Sequence, residues 1–221
     1  MTLPREEVVA GFQDELVRFA ELVRSIDAKE WRTSSRCVGW TAADVAGHVT
    51  GQLSDIVNGR FDGIGTPEVT ERQVAERRTK TPDEIADELD EAAKIGADIL
   101  SSFDDAAWAG PAPQGVPGTL GEGVEGLWFD AWMHGDDIRA ALGRSTEPGP
   151  GVRASVSHLA DLLTQKGWGP ATIAVSGLEE FPVSGGGGQR VEGDAITFVL
   201  VASGRKEASV LGLDPGVNVY G

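Results

Sequence analysis

Three residues of the sequence have side chains suited to binding one divalent metal ion: His48, Asp130 and His134. Asp130 stands four residues before His134, so on an α-helix the carboxylate and the imidazole project from nearly the same side. His48 falls on or beside the inward face of a separate predicted helix. Two ligands from one helix and a third from another can enclose a metal site in a helix bundle. Two imidazole nitrogens and one carboxylate oxygen suit zinc, with a fourth position open to water or substrate.

The spacing alone leaves two interpretations open. An isolated inward histidine is more often a hydrogen-bonded core residue than a metal ligand. A D-x-x-x-H pair with a distant histidine also occurs by chance in many helical proteins. Which interpretation applies depends on the elements that carry these residues.

Apolar residues that recur at three- and four-residue steps predict four amphipathic helices. Their predicted ranges are residues 4 to about 26, 42 to about 57, 82 to about 103, and 120 to 142. The last three helices each follow a threonine with an acidic residue three positions later, which is the pattern of a capping box. The third helix is expected to point Ile99 and Phe103 inward. The sequence thus predicts a four-helix bundle with His48 and His134 on inward faces.

The remaining segments predict loops and a second, smaller domain. Residues 58–80 are expected to form a long loop with some helix in its second half, and residues 104–118 a loop rich in proline and glycine. Beyond Gly143 we expect a linker, a short helix over residues 152–166, and a glycine run at residues 185–188 that forms a hairpin turn or a loose loop. The prediction is an α+β fold, with a metal-binding four-helix bundle at residues 1–145 and a small α+β domain at residues 149–221.

The composition limits which classes of protein and which binding partners are expected. Lys and Arg number 19 against 35 Asp and Glu, and the net charge of −16 disfavours nucleic acid and anionic membranes as partners. No apolar run reaches about 18 residues, and the N-terminus does not resemble a secretory signal. The single cysteine, Cys37, excludes an internal disulfide and fits a reducing compartment. A cytoplasmic protein, monomeric or weakly dimeric, is expected.

Two local motifs carry a family resemblance. The first is Cys37, Gly39, Trp40 and Thr41, followed by His48, and the second is DAWMHGDDIRAALG over residues 130–143. With these motifs the chain resembles the mycothiol-dependent maleylpyruvate isomerase family, relatives of the DinB-like metal-binding bundles. A weaker resemblance continues into the C-terminal half, where that family has a small sterol-carrier-like α+β domain. Residues 193–205 look like the helix of that domain and its following glycine and arginine, although their β-branched residues alone suggest a strand.

The resemblance implies a metal- and thiol-dependent enzyme. It assigns His48, Asp130 and His134 as the metal triad, with zinc as the expected metal and mycothiol, a low-molecular-weight thiol of actinobacteria, as cofactor or co-substrate. The thiolate would attack a small electrophile, so the activity would be that of an isomerase or a thiol transferase. Arg205 could bind a substrate carboxylate, or could be a solvent-exposed residue that closes a helix.

Two departures from the family pattern concern Asp130 and Asp136. Asp130 replaces the usual glutamate and shortens the ligand arm by one methylene, while Asp136 replaces a tryptophan. The first change motivates an alternative hypothesis, a non-catalytic bundle that binds a metal or ligand. A third hypothesis is a metal-free interaction module with both histidines in its core.

We also have expectations for four residues near the candidate metal ligands. Asp137 could orient a ligating histidine or be merely exposed. Cys37 is interpreted as a packing residue and not as a nucleophile. Trp40 is expected to be a core anchor, and Arg139 a partner in a surface ion pair.

Overall fold

The computed structural model describes residues 3–113 and 116–221. The predicted N-terminal end of the bundle at residues 1–2 and the part of the predicted loop at residues 114–115 lie outside this range. In the described part the chain forms eight α-helices and one three-stranded sheet, which confirms the α+β class. The helices are α1 (Arg5–Arg24), α2 (Ala42–Val57), α3 (Pro67–Ala75), α4 (Pro82–Ser102), α5 (Asp105–Ala109), α6 (Leu120–Ala141), α7 (Pro150–Lys166) and α8 (Ala195–Ala202). The strands are β1 (Ala171–Val175), β2 (Phe181–Val183) and β3 (Gln189–Gly193).

The chain divides into two compact units, one of Pro4–Glu147 and one of Pro148–Gly221 with Leu3. In the first unit α1 and α2 each pack against both α4 and α6, so the four long helices form a bundle, and α3 packs on α2. The core between them consists of large apolar side chains, among them Phe19, Val45, Ile85, Leu89 and Trp128. Burial of these faces holds the bundle together.

Helix starts in the bundle follow the predicted capping chemistry. Thr41, Thr81 and Thr119 each accept a hydrogen bond from the backbone three residues on, and the acidic side chain there accepts from the threonine backbone. Such caps satisfy backbone N–H groups that the first turn leaves without partners. They fix where α2 and α6 begin, and hence which residues face the core.

Some local expectations differ from the structure. Ile99 was expected to point inward but is 37% exposed, since α4 turns this part of its surface toward solvent. The predicted loop at residues 104–118 contains α5, whose start is capped by the Asp104 side chain. Neither difference moves α2 or α6.

In the second unit β1 lies between antiparallel β2 and parallel β3. The glycine run at residues 185–188 connects β2 and β3, which are not paired with each other, so the hairpin alternative is wrong and the loop alternative holds. Residues 195–202 form α8, the helix that the family resemblance implied, and the Asp194 side chain caps its start. Burial of Phe198 and its neighbours there overrides the strand preference of the β-branched residues. Within the described residues, no helix is both long and apolar enough to cross a membrane.

Candidate metal centre

Helices α2 and α6 bring His48, Asp130 and His134 together inside the bundle. Nε2 of His48 lies 3.7 Å from Oδ2 of Asp130, and Nε2 of His134 lies 3.5 Å from Oδ1 of the same carboxylate. One ligand atom from each residue lies within 4.8 Å of the other two. Ligands of a tetrahedral zinc ion, each about 2.1 Å from the metal, are about 3.4 Å apart. The two nitrogen–oxygen separations, each to a different oxygen of Asp130, are close to that value.

The Asp130 carboxylate provides a test of whether a cation fits. Its Oδ2 atom is buried and accepts no hydrogen bond from the described residues. A buried polar atom without a partner is unfavourable, and a divalent cation between Asp130 and the two histidines would satisfy it. The donor set of two imidazole nitrogens and one carboxylate oxygen also suits zinc. The residues therefore fit a divalent metal ion.

A buried aspartate holds the far side of the His134 ring. Oδ2 of Asp137 lies 2.9 Å from Nδ1 of His134, and the same oxygen accepts a hydrogen bond from the Cys37 thiol at 3.2 Å. The other oxygen of Asp137 accepts from Nε of Arg36 at 2.5 Å. Asp137 is fully buried, so the sequence alternative in which it is merely exposed is wrong. Its contact with Nδ1 leaves Nε2 of His134 facing Asp130.

A residue that the sequence analysis did not identify holds the far side of His48. Oε1 of Gln73 lies 3.0 Å from Nδ1 of His48, and the Gln73 side chain is buried. Gln73 belongs to α3, in the segment that was interpreted mainly as a loop. The only signal in the sequence was the helix expected in the second half of that segment, because Gln73 lies on this helix.

The two histidines have opposite proton affinities. Burial, the largest influence, lowers the pKa of His48 despite the nearby Asp130 charge. Burial also opposes the charged form of His134, but the Asp130 charge and the hydrogen bonds to Asp137 and Cys37 outweigh it and raise the pKa of this ring to about 10. These shifts favour the charged form of His134 beside Asp130 and the neutral form of His48.

Several neighbours differ from their expected roles. Trp40 is only half-buried and its ring centroid lies 5.3 Å from that of His48 and 6.4 Å from that of His134, so it is a wall of the site and not a core anchor. Cys37 does more than pack, since its sulfur also lies 3.9 Å from Nδ1 of His134. These contacts join residues that lie far apart in the sequence.

Two further buried side chains of α6 form ion pairs with partners nearer the surface. Asp136 is almost fully buried and accepts from Arg36 at 2.5 Å, so the carboxylate that replaces the family's tryptophan is paired with a cation. Arg139 pairs with Glu147 at 2.5 Å but is itself buried, so the expected surface location was wrong. A charged residue on the inward side of α6 has to be paired when it is buried.

Arg205 follows α8 in the second unit, and its guanidinium donates to the carbonyl oxygen of Ser203 at 3.1 Å. The side chain is partly exposed. Its role toward a substrate stays a prediction.

Comparisons with known proteins identify the family. The sequence model described as mycothiol maleylpyruvate isomerase N-terminal domain matches residues 12–139, more than half of the chain. The chain therefore belongs to this family. The bundle described above is the part of the chain that carries the match.

Solved structures show the same fold over nearly the whole chain. The crystal structure of the mycothiol-dependent maleylpyruvate isomerase superposes with a TM-score of 0.69, at 18% identity and with 96% of each chain covered. A histidine-to-alanine mutant of a mycothiol-dependent maleylpyruvate isomerase gives 0.66, at the same identity and coverage. No curated protein matches the chain significantly.

Proposed function

We propose that this protein is a metal-dependent enzyme that uses mycothiol as thiol cofactor or co-substrate and acts on a small electrophile. In this proposal His48, Asp130 and His134 are the metal ligands, and zinc is the metal. The observation that carries the proposal is the convergence of three possible ligand side chains, one of which, Asp130, has a buried carboxylate oxygen that accepts no hydrogen bond from the described residues. Family membership supplies the thiol and the substrate class.

A divalent cation held by these ligands would deprotonate a bound thiol at neutral pH, where a free thiol, with a pKa of about 8.5, is mostly protonated. The protein's own residues prepare the site for this. Gln73 and Asp137 contact the Nδ1 atoms of the two histidines, so that both Nε2 atoms face Asp130. The Asp130 carboxylate supplies negative charge against a cation, and the Trp40 ring lies beside both imidazoles.

The proposed reactions both combine a thiolate with an electrophilic double bond. In an isomerisation a bound thiol would supply a nucleophile for reversible addition to one carbon of a cis double bond, which would permit rotation about that bond and regenerate the thiol. In a transfer the adduct takes up a proton and is itself the product. Both routes need the same thiolate, so the ligand set serves either.

Arg205 is proposed to bind a carboxylate of the electrophile. A guanidinium can hold a carboxylate through two parallel hydrogen bonds, which orients the substrate as well as attracting it. The support for this role is the family pattern, in which a glycine and an arginine follow the last helix of the small domain, as Gly204 and Arg205 follow α8 here.

The experiment that tests the proposal combines mycothiol and maleylpyruvate with the zinc-loaded protein and follows both isomerisation and loss of free thiol. We expect one of these activities in the wild type and its loss in His48→Ala. His158→Ala, which changes the one histidine outside the triad, is the matched control and should leave the activity unchanged. Equal rates in the wild type and in His48→Ala would refute the proposed function.

A non-catalytic metal-binding bundle is the second candidate. The observation in its favour is the aspartate at position 130, whose shorter arm departs from the family pattern. This candidate predicts that the wild type binds zinc tightly and yet neither isomerises maleylpyruvate nor consumes thiol in the same assay.

A further inference from the structure

We infer that Gln73 is a positioning residue that fixes the proton of His48 on Nδ1, and that two glycines of α2 are required to bring it into reach. The inference rests on the proposed function, because it concerns the preparation of a proposed metal ligand. The observation behind it is a chain of buried hydrogen bonds from the surface of the bundle to His48, on the opposite side of the ring from Asp130.

The contact between Gln73 and His48 determines which ring nitrogen is available. Oε1 of Gln73 can only accept a hydrogen bond, and it lies 3.0 Å from Nδ1 of His48. The proton of the neutral imidazole therefore belongs on Nδ1, and the lone pair of Nε2 faces Asp130. Free imidazole side chains have no such constraint, so this proton position depends on Gln73.

The orientation of the Gln73 amide is itself fixed from behind. Its Nε2 donates to Oδ2 of Asp55 at 2.7 Å, and Asp55 is fully buried. A carboxylate can only accept, so the amide nitrogen must face Asp55 and the amide oxygen must face His48. Arg72 and Arg60 hold the same carboxylate at 2.6 Å and 2.8 Å, and both reach solvent. The imidazole thus donates to the amide oxygen and the amide nitrogen donates to Asp55, while the two guanidinium groups donate to the same carboxylate from the solvent side.

Gly47 and Gly51 allow α3 to approach α2 closely enough for this contact. A Cβ atom at Gly51 would lie 2.7 Å from Cβ of Gln73, and one at Gly47 would lie 3.3 Å from Cβ of Arg77. The guanidinium of Arg77 also donates to the Gln73 carbonyl oxygen at 3.1 Å, which fixes the end of α3. Glycine is unfavourable inside a helix, so two of them on one face, flanking His48, need a packing reason. The close packing of α3 on α2 provides this reason.

A purely structural role of Gln73 predicts a different result. If Gln73 only satisfied buried polar groups, replacing it would lower the stability of the fold but would leave the proton position and the zinc affinity of the folded protein unchanged. The two roles therefore separate in any variant that folds.

The test uses Gln73→Met, which keeps side-chain length but removes both the acceptor and the donor. Long-range proton–nitrogen NMR of the metal-free protein reports which ring nitrogen of each histidine carries the proton, and the chain has only three histidines. Zinc affinity is measured on the same samples by competition with a chromophoric chelator. We expect Nδ1–H at His48 in the wild type, a shift toward Nε2–H in Gln73→Met, and a loss of zinc affinity of about 10- to 100-fold.

A rescue variant and a matched pair of glycine variants complete the test of Gln73. Gln73→Glu combined with Asp55→Asn keeps an acceptor toward His48 and a donor behind it, and should restore Nδ1–H and most of the affinity. Gly51→Ala should reproduce the effect of Gln73→Met. Gly96→Ala, where the added Cβ meets its nearest atom at an ordinary 3.7 Å, should change neither measurement.

The outcomes distinguish this inference from the proposed function. An unchanged His48 proton position in folded Gln73→Met, or in Gly51→Ala if Gln73→Met does not fold, would overturn the inference. A wild type that binds zinc no better than His48→Ala would instead overturn the metal site, while the proton position in the metal-free protein would still decide the role of Gln73.

Discussion

Nε2 of His134 lies 3.5 Å from Oδ1 of Asp130, one turn earlier on the same helix, while the other oxygen of that carboxylate faces His48 from across the bundle. One aspartate therefore lies between both imidazoles, in spite of an arm one methylene shorter than the glutamate that is usual in the family. The short arm reaches because α2 and α6 pack directly against each other.

This geometry predicts how substitutions at position 130 affect zinc binding. Asp130→Ala removes the only carboxylate of the triad and should lower zinc affinity by at least about 10-fold. Asp130→Glu restores the family's ligand length and should keep the metal and at least part of any thiol-dependent activity. Zinc titrations of both variants beside the wild type provide the measurement. A wild type that binds no tighter than Asp130→Ala would show that this carboxylate is not a ligand.

The raised pKa of His134, at about 10, predicts a pH-dependent zinc affinity. Below this pKa the ring carries a proton on the nitrogen that faces Asp130, and zinc must displace that proton in order to bind. Because one proton competes with the metal, the apparent affinity should rise about tenfold per pH unit between about pH 7 and 9. Chelator competition at several pH values, together with calorimetry in buffers of different ionisation enthalpy, measures the slope and the released proton. A flat profile with no proton release would contradict a charged His134.

Cys37 is close enough to the site to be mistaken for a nucleophile. Its thiol donates to Asp137, and a serine hydroxyl can make the same hydrogen bond. Since the proposed nucleophile is the thiol of mycothiol, Cys37→Ser should keep zinc affinity and turnover within about threefold of the wild type. Steady-state kinetics with added thiol measures this. Complete loss of turnover with zinc still bound would assign the nucleophile to Cys37 instead.

Arg205 offers a prediction for substrate binding. If its guanidinium holds a carboxylate, Arg205→Gln should raise KM for a carboxylate-bearing electrophile by about 10- to 100-fold, as loss of a charged hydrogen bond implies. Zinc affinity should not change, because Arg205 is not a ligand. Arg205→Lys keeps the charge but not the paired hydrogen bonds, so it should recover only part of the binding. An unchanged KM in both variants would remove Arg205 from the mechanism.

Local patterns in the sequence were sufficient to predict the helices that carry the candidate site. The capping boxes at Thr41 and Thr119 and the spacing of apolar residues determine α2 and α6, and with them the faces that present His48 and His134. Residues 195–202 are different, because their β-branched composition favours a strand and only burial in the folded unit makes them a helix. That helix was predictable from family resemblance and not from propensity.

The surroundings of the histidines could not be predicted from spacing. Arg36 and Cys37 reach Asp137 across about one hundred residues of sequence, and Gln73 reaches His48 from a helix that follows a long glycine-containing connection. Such contacts depend on how separate elements pack, which periodicity within one element does not encode. For the same reason Trp40, placed in the core from its sequence context, is a half-exposed wall of the site.

The most direct test of the central claim is the metal content of the protein, purified without a histidine tag or chelator and measured by elemental analysis beside His48→Ala. The proposed ligand set predicts about one equivalent of zinc in the wild type and little in the variant, because two remaining ligands hold zinc poorly. Wild-type protein that contains no divalent metal, and takes up no more added zinc than His48→Ala does, would contradict the claim that this bundle holds a metal ion.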